Sequence, residues 1–449
     1  MGQLASLVLA LRIWWFGLAL LLLSCSKTPA PVDLEVITRL WSPRAELARQ
    51  AEADMRQRWS SGDGAAVVEL LTFTREPSIR ARLIGLLEEL SGHRGGDDLD
   101  GWWQWVWKQP PPPAYYSELK AILYSRVDPR FGRYFEGQPR HEIRLDELAW
   151  GGVVQDGIPP LDHPPRLRAA QADYLSDSDV VFGVSHRGQA RAYPKRILAW
   201  HELARDRLGE EELTLVYCTL CGSCILYRSG PHVLGTSGFL YRSNKLMFDQ
   251  KTQSLWSTLE GRPVVGALVG KVQPLEMLSV VTTSWGEWKK LHPQTEVLSL
   301  DTGHQRDYGE GVAYREYFAH DRLMFPVSVR DQRLANKDEV LTLRDGQEML
   351  AVPIAELPPE SLLPVSLGSH SLLAVHRGGR RVYEVDEHRF QALEAGGLRD
   401  VEGGLWRIEE DALVGPSGER LKRFPSHQAF WFGWVAAYPK TRLWTRQRP

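Results

Sequence analysis

At 449 residues the chain has the length of two or three ordinary domains, at roughly 100–200 residues each. Its 43% hydrophobic content supplies cores that need no disulfide to hold them. The 54 basic and 56 acidic side chains nearly cancel and form no block of like charge, so the electrostatic footprint of a nucleic-acid-binding protein is missing.

Residues 1–25 read as an export signal. Arg12 precedes the apolar run Ile13–Leu23, and Leu22-Leu23-Ser24-Cys25 has the form of a bacterial lipobox. The run fits the ~7–15 residues of a signal core and falls short of the ~20 that span a bilayer. Cys25 is therefore the expected lipid attachment point, and Ser26 after it favours the outer membrane of a Gram-negative host. The body is expected to be extracytoplasmic, facing the periplasm or cell surface, where free thiols meet oxidising conditions. A single uncleaved anchor is the alternative.

Residues 26–41 are expected to form a linker, and residues 42–135 a helical region. Ala45–Trp59 and Ile79–Leu90 place apolar residues at three- and four-residue spacing, with Leu83, Leu86, Leu87 and Leu90 on one face. This block carries no chemistry and reads as scaffold or as a docking surface for an envelope partner. Trp102, Trp103, Trp105 and Trp107 then lead into Pro110–Pro113, which should be extended and should end the helical stretch.

From Asp156 the texture changes to short strands and Gly-containing turns. Val180–Val184 and Ala190–Tyr193 flank Arg187-Gly188 and predict a hairpin. A helix is expected over Trp200–Asp206. Leu213–Tyr217 and Ile225–Tyr227 predict two more strands, joined through Cys218, Cys221 and Cys224, which are all the cysteines besides Cys25.

The chain also repeats itself. Trp285, Trp288, Pro293 and Thr295 recur at identical spacing as Trp431, Trp434, Pro439 and Thr441, and Gly188 and Pro194 find counterparts in Gly346 and Pro353. Residues 140–330 and 335–449 therefore read as two copies of one β-rich unit, and the fold class as α+β with helices preceding a duplicated body. Only the first copy has cysteines. Chemistry is expected there, with the second copy as structural partner.

Cys218-x-x-Cys221-Gly222 admits three readings. It has the form of a zinc knuckle, but a closed site needs four ligands and no second knuckle exists. Cys224 and His201 are the candidates to complete a set with Cys218 and Cys221, with His232 and Met247 weaker, and the soft donors suit copper as well as zinc. The same pair can cycle between dithiol and disulfide, with Cys218 as nucleophile and Cys221 as resolving thiol, although a strand after the motif removes the helix dipole that usually assists. Third, the thiols are a structural clip or inert, and the protein is a non-catalytic envelope scaffold. Asn244, Asp249, Arg306, Asp307 and Tyr308 are candidates to line a polar pocket near the cysteines. Their competing role is to fix loops through paired charges.

Asp156-Gly157-Ile158-Pro159, Trp200-His201-Glu202, Tyr217 to Gly222, Gly235-Thr236-Ser237-Gly238, Asn244 to Asp249, Ser254-Leu255-Trp256-Ser257, Arg306-Asp307-Tyr308 and Phe325-Pro326-Val327 occur in an order that resembles an uncharacterised family of extracytoplasmic proteins. That family is numbered 3179 among the domains of unknown function, and the resemblance covers roughly residues 140–445. It implies no established activity. It implies cysteine at the position of Cys218 and variability at those of Cys221 and Cys224, so a metal site built on all three thiols would be particular to this member.

Overall fold

The computed structural model describes residues 30–393 and 397–446; the signal segment with Cys25 lies outside them. Helices come first and a sheet-rich body follows, an α+β arrangement. Among the described residues no helix is long and apolar enough to cross a membrane.

The helices are Leu34–Leu40, Ala45–Arg58, Gly64–Phe73, Pro77–Ser91, Leu99–Val106 and Tyr115–Tyr124. The first falls inside the stretch expected as linker. The last follows the four prolines directly, so these do not end the helical region as expected. Proline is harmless ahead of a helix, where the first N–H groups have no intrahelical partner, and Tyr116 N–H bonds back to the Pro113 carbonyl at 3.0 Å. Leu83, Leu86 and Leu87 share one core with Phe239, Leu246, Phe248 and Val264 of the body. The helical block is thus joined to the first unit through apolar packing. Glu69 and Lys120 are buried there as a pair at 3.1 Å, and the Tyr124 hydroxyl donates to the same carboxylate, which supplies the partners a buried charge needs.

The duplication is visible strand by strand. The first unit opens with the hairpin Val180–His186 and Gln189–Pro194, turning through Arg187 and Gly188, both at positive φ as a two-residue hairpin loop requires. Val281–Ser284 lies antiparallel on one side of it and Glu296–Leu298 parallel on the other. The second unit repeats this with Glu339–Asp345 and Glu348–Pro353, flanked by antiparallel Ser426–Phe430 and parallel Arg442–Leu443. Each hairpin is followed by two antiparallel meanders.

In each unit a seven-residue helix, Trp285–Leu291 or Trp431–Ala437, precedes the parallel strand. Its second tryptophan donates to a threonine on the chain beyond: Trp288 Nε1 to Thr295 Oγ1 at 2.9 Å, and Trp434 Nε1 to Thr441 Oγ1 at 2.8 Å. A buried indole needs an acceptor for its N–H, so this bond explains why the Trp-to-Thr spacing is kept in both copies.

The units exchange contacts reciprocally. The turn between Glu211–Cys218 and Ser223–Arg228 packs on the second unit, where Phe430 N–H donates to the Cys221 carbonyl at 2.7 Å. The matching turn of the second unit, Arg377–Arg380, packs on the first: a Cβ on Gly379 would stand 2.4 Å from Val281.

Candidate functional site

Strand register decides which thiols meet. Cys218 pairs with Ser223, and Tyr217 with Cys224. Side chains alternate along a strand and directly opposed residues share a face, so Cys224 and Cys218 lie on opposite faces of the hairpin. Cys224 packs with Tyr217, Phe182 and Leu198 in the core beneath. Cys221 sits in the turn beside Cys218, its N–H bonded to the Cys218 carbonyl at 3.2 Å, and its thiol donates to the Ser243 carbonyl oxygen at 3.2 Å. All three thiols are free and buried.

Two glycines shape the turn. Gly222 has φ +62°, and a Cβ there would stand 3.1 Å from the Phe430 ring. Gly433 lets the second unit's helix approach so closely that a Cβ would be 2.9 Å from Cys221 Cβ. The second unit thus forms the wall behind Cys221, and Asn244 holds it in place by donating from Nδ2 to the Gly433 carbonyl at 2.9 Å.

The other side of Cys218 holds groups the sequence reading did not assign. Lys245 is 5% exposed. Its strand, Asn244–Asp249, sends Leu246 and Phe248 into the core shared with the helices, while the Lys245 ammonium reaches the Glu202 carbonyl oxygen at 2.6 Å and stands 3.5 Å from the Glu202 carboxylate. The helix Lys195–His201 ends there, short of the expected Asp206, because Glu202 takes a left-handed conformation at φ +56°; Leu203–Leu208 is a strand. Such a cap is normally glycine, so a glutamate in it marks a strained position of the kind found at functional sites. Tyr314, also left-handed at φ +56°, directs its hydroxyl to the same carboxylate at 3.4 Å. Two residues at positive φ, the buried acid and the tyrosine that reaches it, therefore meet at one carboxylate.

Cys218, Glu202, Lys245 and Tyr314 line a cavity of about 50 Å³ whose remaining walls include Val153, Ile158, Leu240 and Phe325. Burial raises the Cys218 thiol, but the neighbouring Cys221, the Lys245 backbone N–H and the Lys245 ammonium outweigh it and hold Cys218 below its ordinary value, against an opposing push from Glu202. Burial and the adjacent Cys218 push Cys221 well up, and burial alone raises Cys224. Burial lowers Lys245, opposed by Glu202 and Cys218. A low-lying thiol beside a cation, with a second, protonated thiol in reach, is an arrangement for a sulfur nucleophile.

His201 is turned elsewhere. Its Nδ1 donates to the Pro159 carbonyl at 2.8 Å, since a carbonyl can only accept. Nε2 then accepts from the Tyr308 hydroxyl at 2.6 Å, and that hydroxyl lies 2.6 Å from Thr302 Oγ1. Both ring nitrogens are occupied, and burial lowers the imidazole to about 4. The structure thus brings Cys218 and Cys221 together and leaves Cys224 and His201 apart from them. Among the described residues, no three His, Cys, Asp or Glu side chains are grouped as metal ligands. His232 is bonded to Asp249 at 3.2 Å, and Met247 packs with Ile225, Tyr227 and Trp256.

None of Asn244, Asp249, Arg306, Asp307 and Tyr308 lines the cavity. Asp249 caps the following turn through Thr252 N–H at 2.7 Å. Arg306 and Asp307 are exposed and not paired with each other: the Asp307 side chain accepts from Gly309 N–H, and its carbonyl from Trp200 Nε1. A signal for the missed residues existed. Lys245 stands among Leu240, Leu246, Met247 and Phe248, where a lysine has no solvent and must have a buried partner.

Fold and site together define an α+β protein with a duplicated β-rich body and, in its first unit, a cavity that Cys218 helps to line. The family described as "Protein of unknown function (DUF3179)" matches residues 155–441, and the chain belongs to it. No curated protein and no solved structure matches the chain.

Proposed function

We propose that this protein is a cell-envelope lipoprotein, anchored through a lipid on Cys25, whose body performs thiol–disulfide redox chemistry with Cys218 as the reactive sulfur and Cys221 as its resolving partner. The observation that carries this reading is the placement of Lys245, buried with its ammonium on the Glu202 carbonyl, on the wall of the same cavity as Cys218. A thiolate is stabilised by such neighbours. A copper or zinc ion at the same sulfur would face the ammonium's charge, which weighs against metal binding as the primary role.

The test is the ultraviolet absorbance of thiolate as a function of pH in the reduced protein, with and without Cys218→Ser, together with metal analysis of the same samples. An absorbance step lost in Cys218→Ser, at a pH below that of free cysteine (about 8.5), and a Cys218–Cys221 disulfide after oxidation support the reading. Stoichiometric copper or zinc that disappears in Cys218→Ser overturns it in favour of a metal site. Absence of both leaves the scaffold reading. Metabolic labelling with a fatty acid, abolished in Cys25→Ser, tests the anchor.

A further inference from the structure

We infer that the cavity beside Cys218 admits a hydroperoxide and that Cys218 reduces it. This rests on the thiolate reading above and narrows it to a substrate class through the cavity's size and lining. Room of about 50 Å³ accommodates a few groups the size of water, each of which needs ~10–15 Å³ of such space. Its cover is pinned down: the Tyr317 hydroxyl donates to the Leu220 carbonyl at 2.8 Å, and the Ser243 hydroxyl to the Phe325 carbonyl at 3.2 Å. With that cover closed, a peptide disulfide or a glutathione-sized oxidant does not fit inside. An anionic oxidant would lose its hydration among Val153, Ile158, Leu240 and Phe325 and meet the Glu202 carboxylate. Hydrogen peroxide is neutral, has two heavy atoms, and needs from its site a thiolate to attack one oxygen and an acid to protonate the other.

Both requirements are met by groups on the cavity wall. The Cys218 thiolate attacks the near oxygen, the O–O bond breaks, and the electron pair leaves on the distal oxygen, which takes a proton from the Lys245 ammonium. The products are Cys218 sulfenic acid and water, or an alcohol from an alkyl hydroperoxide. The Cys221 thiol, which burial keeps protonated, then attacks the sulfenic sulfur. A disulfide forms and the hydroxyl leaves as a second water. An external dithiol, which reaches the buried pair only once the cover carrying Leu220 and Phe325 has opened, returns it to two thiols, and the proton that Cys218 then loses restores the one Lys245 had given up. Across the cycle one hydroperoxide is reduced and one dithiol oxidised.

The experiment uses the reduced full-length protein in detergent, mixed rapidly with hydrogen peroxide or with cumene hydroperoxide, and followed by intact mass and by trapping with dimedone. Expected are a single dimedone adduct on Cys218 in Cys221→Ser, and a rate for hydrogen peroxide at least about 100-fold above free cysteine, the scale of one general acid. Hydrogen peroxide should outpace the bulky hydroperoxide by roughly tenfold or more. In Lys245→Met, paired with Glu202→Gln so that no lone carboxylate is left buried, the rate should fall at a pH where thiolate absorbance shows Cys218 fully ionised. A Cys218 that ionises early yet meets hydrogen peroxide at the rate of free cysteine overturns this inference and leaves the thiolate reading standing. So does a faster reaction with cumene hydroperoxide. A Cys218 that shows no thiolate absorbance below the free-cysteine range removes both.

Discussion

Lys245 and Glu202 are each 5% exposed, and their charged groups stand 3.5 Å apart. At that separation two unit charges attract by about 5 kcal/mol at an effective dielectric of ~20, a ceiling that desolvation reduces. Lys245→Met leaves a buried carboxylate without its counter-charge, a loss on the order of 3–5 kcal/mol. Glu202→Gln leaves the ammonium its 2.6 Å bond to the Glu202 carbonyl and should cost about 2 kcal/mol. The double variant loses less than the sum of the two, with a coupling of about 2–3 kcal/mol in urea unfolding. A second readout separates the charge effect from the structural one. Because Lys245 lowers Cys218 and Glu202 raises it, the thiolate absorbance midpoint should rise in Lys245→Met and fall in Glu202→Gln. Additivity within about 0.5 kcal/mol, or midpoints that move in the same direction, would refute the assignment of these three residues to one electrostatic unit.

Gly433→Ala should destabilise by about 1–3 kcal/mol through overpacking against Cys221 Sγ, 3.2 Å from the added carbon. Gly85→Ala, with open space around its Cβ in a helix, should instead stabilise by about 0.5–1 kcal/mol; equal effects in thermal melts would contradict the close approach. Trp288→Phe and Trp434→Phe each leave a threonine hydroxyl without its donor and should cost similar amounts, about 1–2 kcal/mol apiece, whereas a neutral Trp434→Phe would deny the repeat its structural basis. Burial holds His201 at about 4 and His427 at about 3, both below the ordinary ~6.5. An unfolded chain therefore takes up protons first, and the stability these rings confer is whole above pH ~6.5 and lost as pH falls toward those lower values, by up to about 3 kcal/mol for His201. His427→Gln should flatten the acid limb of a stability–pH curve, and an unchanged limb would count against the assignment.

Much of the body was legible because its signals are local. The Arg187-Gly188 turn and the alternation on either side of it specify a hairpin wherever they occur, and the Trp-to-Thr spacing announces the repeat because one hydrogen bond fixes it. The buried tryptophans, Trp102, Trp285, Trp288, Trp431 and Trp434 among them, fill cores as bulky apolar residues should. What escaped was long-range. Glu202 ends its helix from a left-handed position usually taken by glycine, and no local signal separates the helix from the strand Leu203–Leu208 that follows. His201 lies next to Glu202 in the chain, yet its ring is bonded to Pro159 and Tyr308, and nothing in a knuckle-like spacing reveals that. Lys245 and Tyr314 reach the thiol from separate parts of the chain, and their convergence depends on how the meander folds back.

The traded turns have a consequence for how such a pair can change over time. Phe430 and Gly433 close the space behind Cys221, while Val281 and Thr283 receive Gly379. Neither half can alter its own bend without the other half's helix-bearing face changing in step. The cysteine-free half is therefore under constraint from a turn of the other half, the one that carries Cys221. Removing it would open Cys221 to water, and a lineage that kept Cys221 buried would be obliged to keep the second unit beside it.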